Sequence, residues 1–337
     1  MIATRCCAGL LLGLLVLPAR AADPELDARE APSGKRARSF TFTYQAFVKE
    51  VPAGAKKLKL WIPVPRSDAH QTIGNVKIAP EARRIELEEE SGNRMAYWEF
   101  KDEDLKPVTV TMTFDCERRE IAARDLALDR PLSPRELDGL KEYLEAHEKV
   151  PVGGEFKDLA LKAVGGAKSP LEQTKAAYDF VFANMKYGKP EGKAWGQGDT
   201  WYACREGVGN CTDFHALFMS IGRSVGIPVK FEMGFPLPPP EDAKEGAIGG
   251  YHCWAKFYLG GIGWVPVDIS EARKHEDLAA YYYGNLSADR VSFSTGRDLK
   301  LKPGQDAGRL NFFIYPYAEA DGKPLKVDKA FSFKDIH

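Results

Sequence analysis

Residues 207–268 read GVGNCTDFHALFMSIGRSVGIPVKFEMGFPLPPPEDAKEGAIGGYHCWAKFYLGGIGWVPVD. Within this stretch a glycine-bearing loop turns into an amphipathic helix at Cys211. Asn210 suits the N-cap, and Asp213 at the third helical position completes a capping box. Phe214, Leu217, Phe218, Ile221 and Val225 recur at helical spacing and mark a buried stripe. Gly226 ends the helix and Pro228 prevents its resumption. Cys211 therefore occupies the first helical position, where free N–H groups and the positive end of the helix dipole favour a thiolate. Its own N–H can also meet an oxyanion.

Further along, residues 251–259 alternate. His252, Trp254, Lys256 and Tyr258 share one face; Cys253, Ala255 and Phe257 share the other. A glycine turn follows, and residues 264–268 return to Asp268. A thiol nucleophile needs a base, and the base needs an orienting acceptor. Cys211, His252 and Asp268 are one of each. Parity then sets a condition. A two-residue turn at Gly260-Gly261 places Cys253 opposite Asp268 and His252 on the other face. An odd-length loop, or a bulge, puts His252 and Asp268 on the same face.

Four motifs carry a resemblance to the transglutaminase-like superfamily, within the wider papain-like thiol enzymes. They are Gly209-Asn210-Cys211-Thr212-Asp213-Phe214, Gly226-Ile227-Pro228, His252-Cys253-Trp254-Ala255 and Gly263-Trp264-Val265-Pro266-Val267-Asp268. The resemblance covers residues 168–275. It implies an α+β catalytic domain, with a helix packed on an antiparallel sheet, and a Cys211–His252–Asp268 triad. It also implies attack on a carboxamide or peptide carbonyl to give a thioester, which passes to an amine or to water. Hydrolysis is favoured, because a cross-linking enzyme must exclude water from the thioester. The alternative is a binding module for peptide or cell-wall ligands that has kept the fold without the chemistry. His215 departs from the small apolar residue usual in the family, and either packs or lines the site. Trp254 is a second candidate for lining it. The resemblance leaves one oxyanion donor unassigned, and Tyr187, Trp201 and Tyr202 are the upstream aromatic candidates.

No cofactor is implied. Cys204, Cys211, His215, His252 and Cys253 are metal-ligand types, but no Cys-x2-Cys pair occurs, and His252 and Cys253 point to opposite faces of a strand. We expect no metal. If Cys211 is a free nucleophile, Cys116, Cys204 and Cys253 leave room for at most one disulfide.

The remainder of the 337-residue chain frames this stretch. Arg5, the apolar run 10–17 and Ala19-Arg20-Ala21 have the order of a cleavable export signal, assigned to residues 1–22. The run is too short to span a membrane. A periplasmic or extracellular product is expected. Removing the signal takes Arg5 and Arg20 from the 47 basic residues, which face 48 acidic ones. Such a balance, with no large basic block, argues against nucleic acid as a partner. The expected partner is a peptide or protein substrate, including cell-wall peptide. Oligomeric state is not legible.

Residues 23–38 are charged and small, and read as a flexible leader. From Ser39 the period is two, and short alternating runs separated by Gly, Pro and Asn predict a β-sandwich domain over 39–122. His70 reads as an isolated surface histidine in that domain. Capping boxes at Ser133 and Ser169 then announce helices. The catalytic domain is assigned to 123–337, with strand-like runs near 290–294, 310–315 and 330–333 as a C-terminal β extension. The Pro- and acid-rich insertion 236–250 is placed to overhang the cleft, as a lid or a solvated loop.

Overall fold

In the strand Ser33–Val48 every second side chain from Arg38 onward is buried. This is the period a half-buried strand requires. The computed structural model describes residues 24–336. Residues 1–22, assigned to the export signal, lie outside the described residues.

Ser33–Val48 lies between Asp328–Asp335 and Val108–Ala122 in a six-stranded sheet. Glu245–Ala247 and Asn285–Leu286 extend this sheet at either end, and Gln71–Ala79 also pairs with Val108–Ala122. A five-stranded sheet runs Lys323–Leu325, Tyr317–Ala320, Lys57–Val64, Arg94–Lys101, Arg84–Leu87. A four-stranded sheet runs Gly263–Val267, His252–Leu259, Val229–Pro236, Arg290–Thr295. All pairings within these three sheets are antiparallel.

The helix Cys211–Ser224 packs on the four-stranded sheet, with Phe218 edge-on to Phe257 at 6.3 Å. The helices Lys157–Val164 and Pro170–Asn184 cover its other flank. This is the mixed architecture expected, with a helix on an antiparallel sheet; the two neighbouring sheets, however, join N-terminal strands to strands from residues 245–335. One aromatic core joins the two parts. Phe42 lies 5.3 Å from Phe235 and 5.5 Å from Phe293, and Phe235 lies 4.4 Å from Phe331. Buried aromatics in offset and edge-on contact add to the stabilisation that area burial alone supplies.

Several expectations need correction. The leader is ordered from Pro24 onward: Pro24–Asp27 is helical and the first strand begins at Ser33. Arg29 O accepts from Trp264 N–H at 2.8 Å, and Trp264 O accepts from Ala31 N–H at 2.9 Å. Composition suggested flexibility because the ordering partner lies more than 200 residues away in sequence. The C-terminal strands do not all extend the catalytic sheet. Arg290–Thr295 does, but Tyr317–Ala320 pairs with Lys57–Val64, and Asp328–Asp335 pairs with Ser33–Val48. Residues 310–315 form only an isolated bridge at Leu310. His70 is 2% exposed, with Nδ1 at 3.1 Å from Ser33 Oγ. Burial, with Lys256 and Arg118 nearby, brings its pKa down to about 4.

Candidate active site

Three elements deliver three side chains to one place. Asn210 caps the Cys211 helix as its sequence predicts. Its Oδ1 accepts from Thr212 N–H at 3.0 Å, and Asp213 Oδ2 accepts from Asn210 N–H at 3.0 Å. Neither cap bond uses the Cys211 N–H. Asp213 Oδ1 accepts from Gln197 N–H at 3.0 Å and Gly198 N–H at 2.7 Å, tying the loop 188–199 to the helix start. Gly209 has to be glycine, since a Cβ there would stand 2.5 Å from Asp213 Oδ2.

The hairpin meets the parity condition. Ala255 faces Val267 and Leu259 faces Gly263, so the connecting loop is the odd-length 260–262. On this register His252 and Asp268 share a face as diagonal neighbours. His252 Nε2 lies 2.7 Å from Asp268 Oδ2, which leaves Nδ1 to face the sulfur of Cys211. Asp268 also caps the helix Ile269–Lys274, with Oδ1 accepting from Glu271 N–H and Ser270 Oγ, each at 3.1 Å.

All three groups are buried: Cys211 is 2% exposed, His252 3% and Asp268 0%. Burial pushes the Cys211 thiol up, but hydrogen bonds from Cys253 and His252, with the His252 charge, outweigh it and bring the thiol down. For His252, burial opposes the imidazolium, yet the Asp268 charge and hydrogen bond, with Cys211, raise it. Burial also opposes the Asp268 carboxylate, and His252 and Arg290 hold it well below the usual range. The directions agree with a thiolate–imidazolium pair beside an ionised carboxylate.

Both candidate lining residues, His215 and Trp254, are fully buried. His215 Nδ1 donates to Cys211 O at 2.8 Å, and its Nε2 accepts from Ile269 N–H at 3.2 Å. It is a packed, neutral strut that joins the Cys211 helix to the residue after Asp268, and burial brings its pKa down to about 4. Trp254 is 0% exposed, and its Nε1 donates to Glu232 Oε2 at 2.6 Å. The oxyanion candidates separate. Tyr187 pairs with Gly209, packs against Phe214 at 6.3 Å and feels the charge of Cys211. Trp201 instead packs on Phe156 at 5.5 Å, and Tyr202 Oη donates to Ala194 O at 3.3 Å. The four cysteines Cys116, Cys204, Cys211 and Cys253 are free thiols.

Sequence reading missed Arg290, whose Nη1 donates to Asp268 Oδ2 at 2.9 Å. It also missed Tyr251, whose Oη accepts from Asn210 Nδ2 at 3.0 Å. Tyr251 had a signal, being next to His252. Arg290 had none, because strand pairing alone brings it there. Beside His252 opens a cavity of about 500 Å³, walled by Leu237, Glu241, Glu271, Tyr281, Tyr282 and Arg290. Leu237 and Glu241 come from the insertion, which therefore forms one wall of this cavity.

Residues 157–269 match the family described as the transglutaminase-like superfamily. The chain is 29% identical to an uncharacterized protein of Haemophilus influenzae over 88% of this chain and 89% of that one. A candidate cysteine protease from Cytophaga hutchinsonii shares the fold, with a TM-score of 0.58 at 16% identity, over 90% of this chain and 92% of that one.

Proposed function

Starting from a chain whose residues 157–269 form a transglutaminase-like core, we propose that it is an exported thiol enzyme. It would act on peptide or glutamine amide bonds through Cys211, His252 and Asp268. One observation carries this reading: His252 is bonded through Nε2 to Asp268 at 2.7 Å while its other edge meets Cys211. The export part rests on the N-terminal sequence alone.

The chemistry follows from the placement. The Cys211 thiolate attacks the amide carbonyl carbon, and the carbonyl oxygen takes the negative charge. The Cys211 N–H at the helix start, with Tyr187 beside it, faces that charge. The His252 imidazolium gives its proton to the departing nitrogen, the C–N bond breaks, and a thioester remains. His252, now neutral, takes a proton from water as the water attacks. The acid product leaves and the thiolate–imidazolium pair is restored. Asp268 keeps Nε2 protonated and the ring oriented throughout.

Peptide and protein substrates, cell-wall peptide included, are the amide-bearing class that an exported thiol enzyme would meet. The test is a peptide-library digest with wild type and Cys211→Ala, alongside incubation with a fluorescent primary amine and a glutamine-bearing protein. Cleavage by wild type and none by the variant supports the reading. Equal turnover by both sinks it, and amine incorporation outpacing hydrolysis makes cross-linking, not hydrolysis, the main reaction. A second reading, a binding module, predicts peptide binding with no labelling of Cys211 by iodoacetamide.

A further inference from the structure

We infer that Arg290 is a positioning residue of this site: it keeps the Asp268 carboxylate facing His252, and it limits how tightly that carboxylate retains the His252 proton. The inference rests on the triad reading above.

Arg290 opens the strand Arg290–Thr295 and is 3% exposed. Its Nη1 donates to Asp268 Oδ2 at 2.9 Å, and His252 Nε2 meets the same oxygen at 2.7 Å. Oδ1 is already occupied by Ser270 Oγ and Glu271 N–H. A single carboxylate oxygen thus serves a permanent cation and a titrating one. The guanidinium lies 4.9 Å over the Trp254 ring, and Trp254 is fixed by Glu232. The strand, the stacked indole and the carboxylate therefore hold Arg290 from three sides. Arg suits this role because its charge persists at every working pH and its planar fork stacks while it donates.

The other titratable groups around the pair come from several elements. Cys211 and His215 lie on the Cys211 helix, and Glu271 Oε1 lies 3.6 Å from His252 Nε2. Tyr178, Tyr187 and Tyr282 face Asp268 from further off. Glu271 is itself paired with Lys274 and His275. Among these groups Arg290 is the permanent cation in contact with Asp268. Without it, an ionised and buried Asp268 would have His252 as its only charged partner, and would hold the imidazolium proton harder. Acylation needs that proton present, but deacylation needs it gone from Nδ1 so that water can be activated. Arg290 keeps the proton transferable.

The test uses the whole protein and iodoacetamide, following alkylation of Cys211 against pH by mass spectrometry. Wild type should show two steps. The lower one marks formation of the thiolate, and the upper one marks loss of the imidazolium proton, which leaves a more reactive thiolate. In Arg290→Gln, which keeps a donor and removes the charge, the upper step should rise by about one pH unit. In Arg290→Lys, whose ammonium falls short of Oδ2, it should rise by less. Folding of each variant is checked by thermal unfolding. If Arg290→Gln does not fold, Arg290→Lys decides alone: an upward displacement supports the inference, and none overturns it. An unmoved upper step in a folded Arg290→Gln also overturns it. A wild type whose Cys211 alkylates in one step, as an ordinary thiol, overturns the triad reading itself.

Discussion

Cys211 and His252 depend on each other for their charge states, and each pays part of the desolvation of the other. Turnover requires an ionised Cys211 and a protonated His252. Activity should therefore rise as pH passes the lowered Cys211 pKa, at about 6, and fall as pH passes the raised His252 pKa, at about 10. A kcat/KM profile against pH checks this, and a profile rising only near the ordinary thiol range would contradict it. Asp268→Asn keeps the size of the side chain and removes the charge. Activity should fall by about 10²–10⁴-fold, because the imidazolium loses its partner and the ring its preferred tautomer. The measurement is kcat for wild type and variant on one peptide substrate. His215 belongs to the same scale but acts differently. It ties Cys211 O to Ile269 N–H without reaching the sulfur. The sequence left its role open between packing and lining because helical spacing alone does not say which neighbour a flanking face meets.

The hairpin and the capped helix are the elements that make those side chains meet. The helix start was legible from Asn210 and Asp213, because a cap is a local interaction within a few residues. Asn210→Ala should cost about 1 kcal/mol through the lost cap, and more if the Tyr251 bond also contributes. Denaturant unfolding measures the loss, and a cost near zero would show the cap to be redundant. Behind the hairpin, Lys256 Nζ lies 2.9 Å from Glu232 Oε1 and 3.0 Å from Glu30 Oε2, with its side chain only 3% exposed. Lys256→Met would leave two buried carboxylates without this cation. The expected loss is about 3–5 kcal/mol, read by the same unfolding experiment. The alternation of residues 251–259 announced a strand. It did not announce that the polar face, with Trp254 and Lys256, would be buried under the N-terminal segment.

At the scale of the whole molecule, the first and last strands of the described residues lie side by side in one sheet. Asp328–Asp335 pairs with Ser33–Val48 over eight residues, and Phe331 packs on Phe235 in the aromatic core. Deleting residues 328–337 should therefore expose a long strand edge and open the core. Limited proteolysis should cut the truncated protein within 33–48 and 229–236 at protease levels that leave the full chain intact. Equal resistance would show the C-terminal strand to be dispensable. Among the described residues no helix is long and apolar enough to cross a membrane.

Features that depend on neighbours along the chain were legible in the amino-acid order. The cap at Asn210, the buried stripe of the Cys211 helix, the alternation around His252 and the strand periods from Ser39 were readable because each is set within a turn of helix or a few pleats. Tertiary structure alone decided what depends on pairing between distant segments. Parity tied a His252–Asp268 pair to an odd-length loop or a bulge, and strand pairing chose the odd-length loop 260–262. The order from Pro24 to Arg38, the burial of His70, the placement of the C-terminal strands and the arrival of Arg290 at Asp268 all come from contacts across many residues. Strand pairing carries almost no mark in local composition, since any alternating strand can satisfy any other until packing chooses between them.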